Sequence, residues 1–270
     1  MTHAVEADVD AVLFDFGGTL FDYGCLRPAM HDALVQLCQE ADLAPSDRHL
    51  AAAYLAALRK SFSSHLDLTF YRMRDVFRQA AIDTLDWLVA LHELSRADSD
   101  PLAGLDDTPA SGRRHVAVDG CDPFLTVQAA DFRLRDGVVE TLRALRGSGR
   151  RIGLVTNMDV DQLAHLVGIS GLGPELDFAL GSEEVRSCKP DRRIFSEAVD
   201  RAGSAPARTL FVGDSVVQDI EGAKRAGLRP VLVSRRADGQ VPPGVGPVPV
   251  LRVIPDLLDI VAPPSVGGGR

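Results

Sequence analysis

A chain of 270 residues, 46% apolar and 25% charged, can bury one large core, alone or with an insertion. Its formal net charge of −9 argues against nucleic acid or an anionic membrane as the main partner, and no apolar run approaches the length of a membrane span. Cys25, Cys38, Cys121 and Cys188 are scattered without a Cys-x-x-Cys pair and read as reduced thiols of a cytoplasmic protein; the acidic start around Glu6, Asp8 and Asp10 lacks a signal-peptide pattern.

Val9 to Phe16 reads as a buried strand followed by a Gly-Gly turn. Helices are predicted at 27–42 (apolar at Leu34, Leu37, Cys38), at 47–62 (Leu50, Ala53, Tyr54, Ala57, Leu58) and at about 70–94 (Val76, Phe77, Ala80, Ala81, Leu85, Leu88, Leu91). Asp98 to Pro123, rich in Asp, Gly, Pro, Ser and Arg, reads as a long loop, either a linker or a functional lid. Beyond it, helices at 136–148, 159–167, 191–202 and 216–226 alternate with strands at 151–156, 176–180, 209–213 and 230–234. A strand at 249–253 and a short helix to Val261 precede a Pro/Gly-rich tail.

Such alternation predicts an α/β fold, a parallel sheet covered on both faces. The first strand reads as a member of that sheet, so the helical block is an insertion near the carboxyl ends of the strands, where ligands bind in open α/β sheets. The expected division is a Rossmann-like core from 1–24 and 131–270 and an all-helical domain from 25–130 that includes the 98–123 loop.

Four strand ends carry groups suited to phosphate. Asp15 precedes Gly17-Gly18-Thr19, where a tight backbone leaves its carboxylate open to a substrate; the plain alternative is an Asp that satisfies a turn. Asp15-Phe16-Gly17 also matches a kinase triplet, but the 14 residues before it leave no room for the Gly-rich and catalytic loops. Thr156 and Asn157 end a strand before a helix, as an N-cap, as phosphate ligands, or as both. Lys189, one of three lysines with Lys60 and Lys224, stands before Pro190 at the mouth of a helix. Gly213-Asp214 ends another strand, and Asp219 follows within one helical stretch. Hard carboxylate oxygens suit Mg²⁺, for which one or two carboxylates and a phosphate oxygen suffice. The seven His are dispersed and no Cys cluster supports zinc.

In that order, Asp-x-x-Gly-Thr, a strand-terminal Thr, Lys-Pro and Gly-Asp-Ser-x-x-x-Asp resemble the haloacid dehalogenase-like (HAD) hydrolase superfamily. The resemblance covers roughly 9–25 and 130–262, with flanking matches at Gly181-Ser182-Glu183-Glu184 and Ala223 to Gly227; the helical block is similar to that family's helical cap. It implies a phosphatase of a small phosphorylated metabolite, working through an aspartyl phosphate on Asp15. It also implies Mg²⁺ held by Asp15, the Gly17 backbone carbonyl and Asp214, with Asp219 acting directly or through water. Thr156 and Lys189 would neutralise the phosphoryl oxygens, Lys189 also pairing with Asp15, and Gly18 and Asn157 would line the phosphate site. A monomer and a homodimer are both compatible.

Most phosphatases of this family carry an aspartate two residues after the nucleophile, which protonates the leaving oxygen and then activates water. Here that position is Gly17. Acid–base help of this kind is typically about 10²–10⁴-fold, or about 3–5 kcal/mol of barrier. The expectation is a slowed phosphatase, or one whose leaving group or cap supplies the proton. Three rivals share the gap: a dehalogenase-type enzyme, with no need of Mg²⁺ or the Asp214/Asp219 pair; a phosphonatase-type enzyme with Lys60 as Schiff-base lysine; and a non-catalytic binder of a phosphorylated ligand or partner protein. Candidate substrate contacts in the helical block are Arg59, His65, Tyr71, Arg72 and Arg74. His65 and Asp22 are candidate stand-ins for the missing acid, with packing and turn roles as the plain alternatives.

Overall fold

In the computed structural model, residues 9–65, 67–99, 118–234 and 246–261 are described. Most of the loop expected at 98–123, and the Pro/Gly-rich tail, lie outside the described residues. Strand β1 (Ala11–Phe14) is buried at every position, as a strand with both faces covered must be. Helices α1 (Arg27–Glu40), α2 (Asp47–His65) and α3 (Met73–Ser99) follow it. A 3-10 turn at Val118–Cys121 leads into the single turn α4 (Pro123–Thr126). Asp122 caps α4, its carboxylate accepting from the Phe124 amide at 3.0 Å with proline in the first turn.

The alternating half then runs α5 (Val138–Gly147), β2 (Arg151–Thr156), α6 (Val160–Ser170), β3 (Phe178–Gly181), α7 (Ser182–Val185), α8 (Arg192–Ala202) and β4 (Thr209–Gly213). A π-helical turn (Val216–Glu221), α9 (Gly222–Ala226), β5 (Arg229–Val233), β6 (Val250–Leu251) and α10 (Leu257–Val261) complete it. The six strands lie in the order β3-β2-β1-β4-β5-β6 and every neighbouring pair is parallel. That order places β1 between β2 and β4, so the chain leaves the sheet centre in opposite directions there. The crevice outside the carboxyl ends of these strands is the ligand-binding place of doubly wound sheets.

The chain forms two compact units. One comprises the residues up to Cys25, Thr69–Tyr71 and those from Ala129 onward; the other comprises Leu26–Leu68 and Arg72–Gln128. The sheet unit packs Leu13, Val155, Phe195, Ala198 and Phe211 into one buried cluster. Phe195 and Phe211 meet edge to face with centroids 5.0 Å apart, a geometry that adds about 0.5–1.5 kcal/mol to area burial. The helical unit has its own core of Leu34, Leu37, Leu50, Ala53, Ala80, Ala81 and Leu88, the apolar stripes expected from helical spacing.

Two elements differ from the sequence reading. Helix α3 runs on to Ser99 instead of ending near 94. The helix expected at 216–226 is split into a π-helical turn and α9. The split has a local cause: the Asp219 carboxylate turns back to the Ser215 amide at 2.9 Å, while the Ser215 hydroxyl accepts from the Gln218 amide at 3.2 Å. Such widened turns concentrate at functional sites. Among the described residues, no helix is long and apolar enough to cross a membrane.

Candidate active site

The Asp15 amide donates to the Val212 carbonyl at 2.9 Å, which holds Asp15 at the carboxyl end of β1 against β4. The following loop turns sharply because Gly18 has φ +81°, and a Cβ there would lie 2.8 Å from Asp214 Cγ. The Gly18 amide donates to the Phe21 carbonyl at 2.9 Å, and its carbonyl accepts from Arg135 Nη2 at 2.7 Å. Both backbone groups of Gly18 are therefore engaged in holding the turn beside Asp15. The fully buried Thr19 donates its hydroxyl to Asp15 Oδ2 at 3.0 Å.

Lys189 is buried, and its ammonium donates to Asp15 Oδ1 and to Asp219 Oδ1, each at 2.7 Å. The ammonium also lies 5.2 Å from the centroid of the Phe211 ring. Two carboxylates outweigh the desolvation that would otherwise favour the neutral amine, so the Lys189 pKa is raised. Asn157 clamps this lysine through its backbone: Nδ2 donates to the Lys189 carbonyl at 3.0 Å, and the Lys189 amide donates to Oδ1 at 2.7 Å. The side-chain amide of Asn157 thus positions Lys189 through its backbone.

Neither Thr156 nor Asn157 caps a helix. Asp159 is the N-cap of α6, its amide bonded to Gln162 Oε1 at 2.9 Å. Thr156 is the buried last residue of β2, in register with Gly181. On the other side of Lys189, Asp191 caps α8 by accepting from the Arg193 amide at 2.9 Å, so Pro190 precedes the cap instead of opening the helix.

Ligand atoms of Asp15, Asp214 and Asp219 all lie within 4.8 Å of one another. Asp214 keeps an open side to solvent, and partial desolvation, then the charges of Asp15 and Asp219, push it up to about 7. Asp219 is also raised, by burial first and by Asp15, with Lys189 opposing. Three carboxylates facing one ammonium leave excess negative charge in a partly dry place. Hard oxygen donors in that arrangement fit a dication such as Mg²⁺.

Of the chain's three tyrosines two stand here, and sequence reasoning missed one of them, Tyr23. Tyr23 faces the acidic cluster: burial of the phenol and the charges of Asp15, Asp214 and Asp219 raise its pKa well above the usual value. Tyr71, expected in the helical block, belongs to the sheet unit. The Cys188 amide donates to the Thr69 carbonyl at 2.8 Å, and the Tyr71 hydroxyl bonds the side chains of Asn157 and Gln218. Burial pushes Tyr71 up to about 12.

Among the other candidates, Asp22, His65 and Lys60 have ordinary settings. Asp22 accepts from the Gly24 amide at 2.7 Å, a turn role. Arg59, His65, Arg72 and Arg74 belong to the helical unit, where His65 Nδ1 lies 2.6 Å from the Ser61 carbonyl. Lys60 is 76% exposed at its side chain and donates to Asp83 at 2.6 Å, unlike the desolvated amine that a Schiff base requires.

Residues 9–227 match the family model of haloacid dehalogenase-like hydrolases. The haloacid dehalogenase-like hydrolase domain-containing protein 3 of Mus musculus is 35% identical over 137 residues, 49% of this chain and 51% of that protein. A glyceraldehyde 3-phosphate phosphatase of Methanothermobacter thermautotrophicus is 34% identical over 116 residues, 43% of this chain and 51% of its own length. The chain thus spans about half the length of these curated relatives. A HAD phosphatase from Thermococcus onnurineus superposes with TM-score 0.65 at 21% identity, covering 94% of this chain and 98% of that one.

Proposed function

Because this chain belongs to the haloacid dehalogenase-like hydrolases, we propose that it is a Mg²⁺-dependent phosphatase of a small phosphorylated metabolite. The observation that carries this reading is the single cluster in which Asp15, Lys189, Asp214 and Asp219 meet at the carboxyl ends of β1 and β4. The named activity of the Methanothermobacter relative supports the reaction class and leaves the substrate open.

In the proposed reaction, a carboxylate oxygen of Asp15 forms a bond to phosphorus as the bond from phosphorus to the leaving oxygen breaks. Water then attacks the aspartyl phosphate, releasing inorganic phosphate and restoring Asp15. Lys189, held by Asn157, keeps Asp15 ionised and oriented and offers positive charge to the phosphoryl oxygens. Thr156 supplies a hydroxyl from the end of β2. The ligands assigned to Mg²⁺ are Asp15, Asp214 and the Gly17 carbonyl, with Asp219 behind them; when bound, the cation would offset negative charge on the transferring group. The helical unit takes the part of the family's cap, and the four free thiols suit a reducing, cytoplasmic setting.

The test is inorganic phosphate release from a panel of phosphate esters with and without Mg²⁺. Release is expected only with Mg²⁺, and Asp15→Asn should lower it by at least about 10³-fold. Equal release by Asp15→Asn, or none from any ester by the native chain, would falsify the reading. The acidic trio favours phosphoryl transfer over the metal-free dehalogenase alternative, for which fluoride release from fluoroacetate is the discriminating measurement.

A further inference from the structure

Gly17 leaves the chain without a side chain where the family's acid stands, and the structure fills that space from six positions along the chain. A Cβ built on Gly17 would collide with the Tyr23 hydroxyl and lie 2.7 Å from Tyr23 Cζ. Only a residue without a Cβ leaves the phenol its place. The ring opens the 3-10 turn Tyr23–Leu26 and meets Phe21 edge-on, centroids 5.5 Å apart. Phe21 is itself locked against Phe16 and Phe132, at 5.0 and 4.9 Å. Tyr23 is 49% exposed as a residue, yet its hydroxyl lies over the Gly17 backbone, where the charges of Asp15, Asp214 and Asp219 act on it. So a rigid aromatic support carries an O–H to the nucleophile's neighbourhood.

We propose that the Tyr23 hydroxyl is a catalytic residue that donates a hydrogen bond to the leaving-group oxygen of the phosphorylated substrate, from the space that Gly17 keeps open. This rests on the phosphatase reading and adds a substrate class to it. A phenol, with an ordinary pKa of about 10 against about 3.9 for an aspartic acid, is a far weaker acid. It stabilises charge on a departing oxygen by hydrogen bonding but is a poor source of a full proton. The substrates that suit such a site carry phosphate on an oxygen that leaves as a stabilised anion: acyl, enol or aryl phosphates and phosphoanhydrides, in preference to simple alkyl phosphates.

The experiment compares kcat/KM of the full chain with saturating Mg²⁺ on acetyl phosphate, p-nitrophenyl phosphate, phenyl phosphate and glycerol 3-phosphate. The native chain should strongly prefer the first two over glycerol 3-phosphate. Tyr23→Phe should lose about 10–100-fold on p-nitrophenyl phosphate, the worth of one hydrogen bond to a charged oxygen, and more on phenyl phosphate, whose leaving group is more basic. A packing role would lower both by the same factor. Gly17→Ala should reproduce the Tyr23→Phe loss, and the double variant should add little to it. Release that requires Asp15 but is unchanged by Tyr23→Phe, falls equally on both aryl esters, or favours glycerol 3-phosphate would overturn this inference alone. No release from any ester by the native chain would remove both readings.

Discussion

Lys189 governs the charge balance of the cluster, because its ammonium is shared between Asp15 and Asp219 in a buried place. Removing one partner of a buried ion pair costs about 3–5 kcal/mol, since the remaining charges are left in low dielectric. Lys189→Met should therefore unfold in less urea than the native chain. The loss should depend on pH. The folded pKa values of Asp214, about 7, and Asp219 lie above their unfolded values, so the folded state keeps protons that the unfolded chain has released. Stability from these groups is present at low pH and is lost as pH rises from the ordinary carboxylate range toward 7. Without the lysine that fall steepens, so Lys189→Met should lose more at pH 8 than at pH 5.5. Equal losses at both pH values, measured by urea unfolding of the metal-free protein, would assign the effect to packing over Phe211 instead.

The segment around Lys189 is shaped by caps more than by strands. Asp191 accepts from the Arg193 amide at 2.9 Å and from the Ser187 hydroxyl at 2.8 Å, and so ties both ends of the Lys189-Pro190 link to the start of α8. Asp191→Ala should cost about 0.5–2 kcal/mol, and Asp191→Ser should recover most of it, as a change in urea midpoint at constant slope. These details explain what the amino-acid order reveals and what it hides. Asp15 and Asp214 were legible because each follows an apolar strand-like run, and parallel strands deliver their ends to one side; Lys189 and Asp219 were legible from the Lys-Pro pair and the spacing to Asp214. Asn157 was legible as a site residue but not as the clamp of a lysine 32 positions away, since that pairing exists only once β2 and the Lys189 segment are neighbours. The true cap of α6, Asp159, lies beyond the strand end where a cap was expected. The π-helical turn comes from one carboxylate bending back to Ser215, which no periodicity reports. Tyr23 escaped for the same reason: its meaning lies in a hydroxyl meeting an absent side chain.

Over the whole chain the balance is −9, and at the site three carboxylates crowd around one ammonium. The metal-free protein therefore carries a local electrostatic cost, and a cation that binds only the folded form should relieve it. Binding at 100 times the dissociation constant contributes about 2.7 kcal/mol, which for a chain of this size corresponds to a rise of about 5–10 °C in Tm. All three carboxylates belong to the sheet unit, so if the two units melt separately only that unit's transition should move. Protons compete with the cation for Asp214, whose pKa is about 7, so the shift should be large at pH 8 and small at pH 5.5, and EDTA should reverse it. Calorimetry at the two pH values checks this without reference to any substrate. An unmoved Tm at pH 8 in saturating Mg²⁺ would mean that Lys189 alone manages the cluster's charge, and the phosphoryl chemistry would have to proceed without a metal.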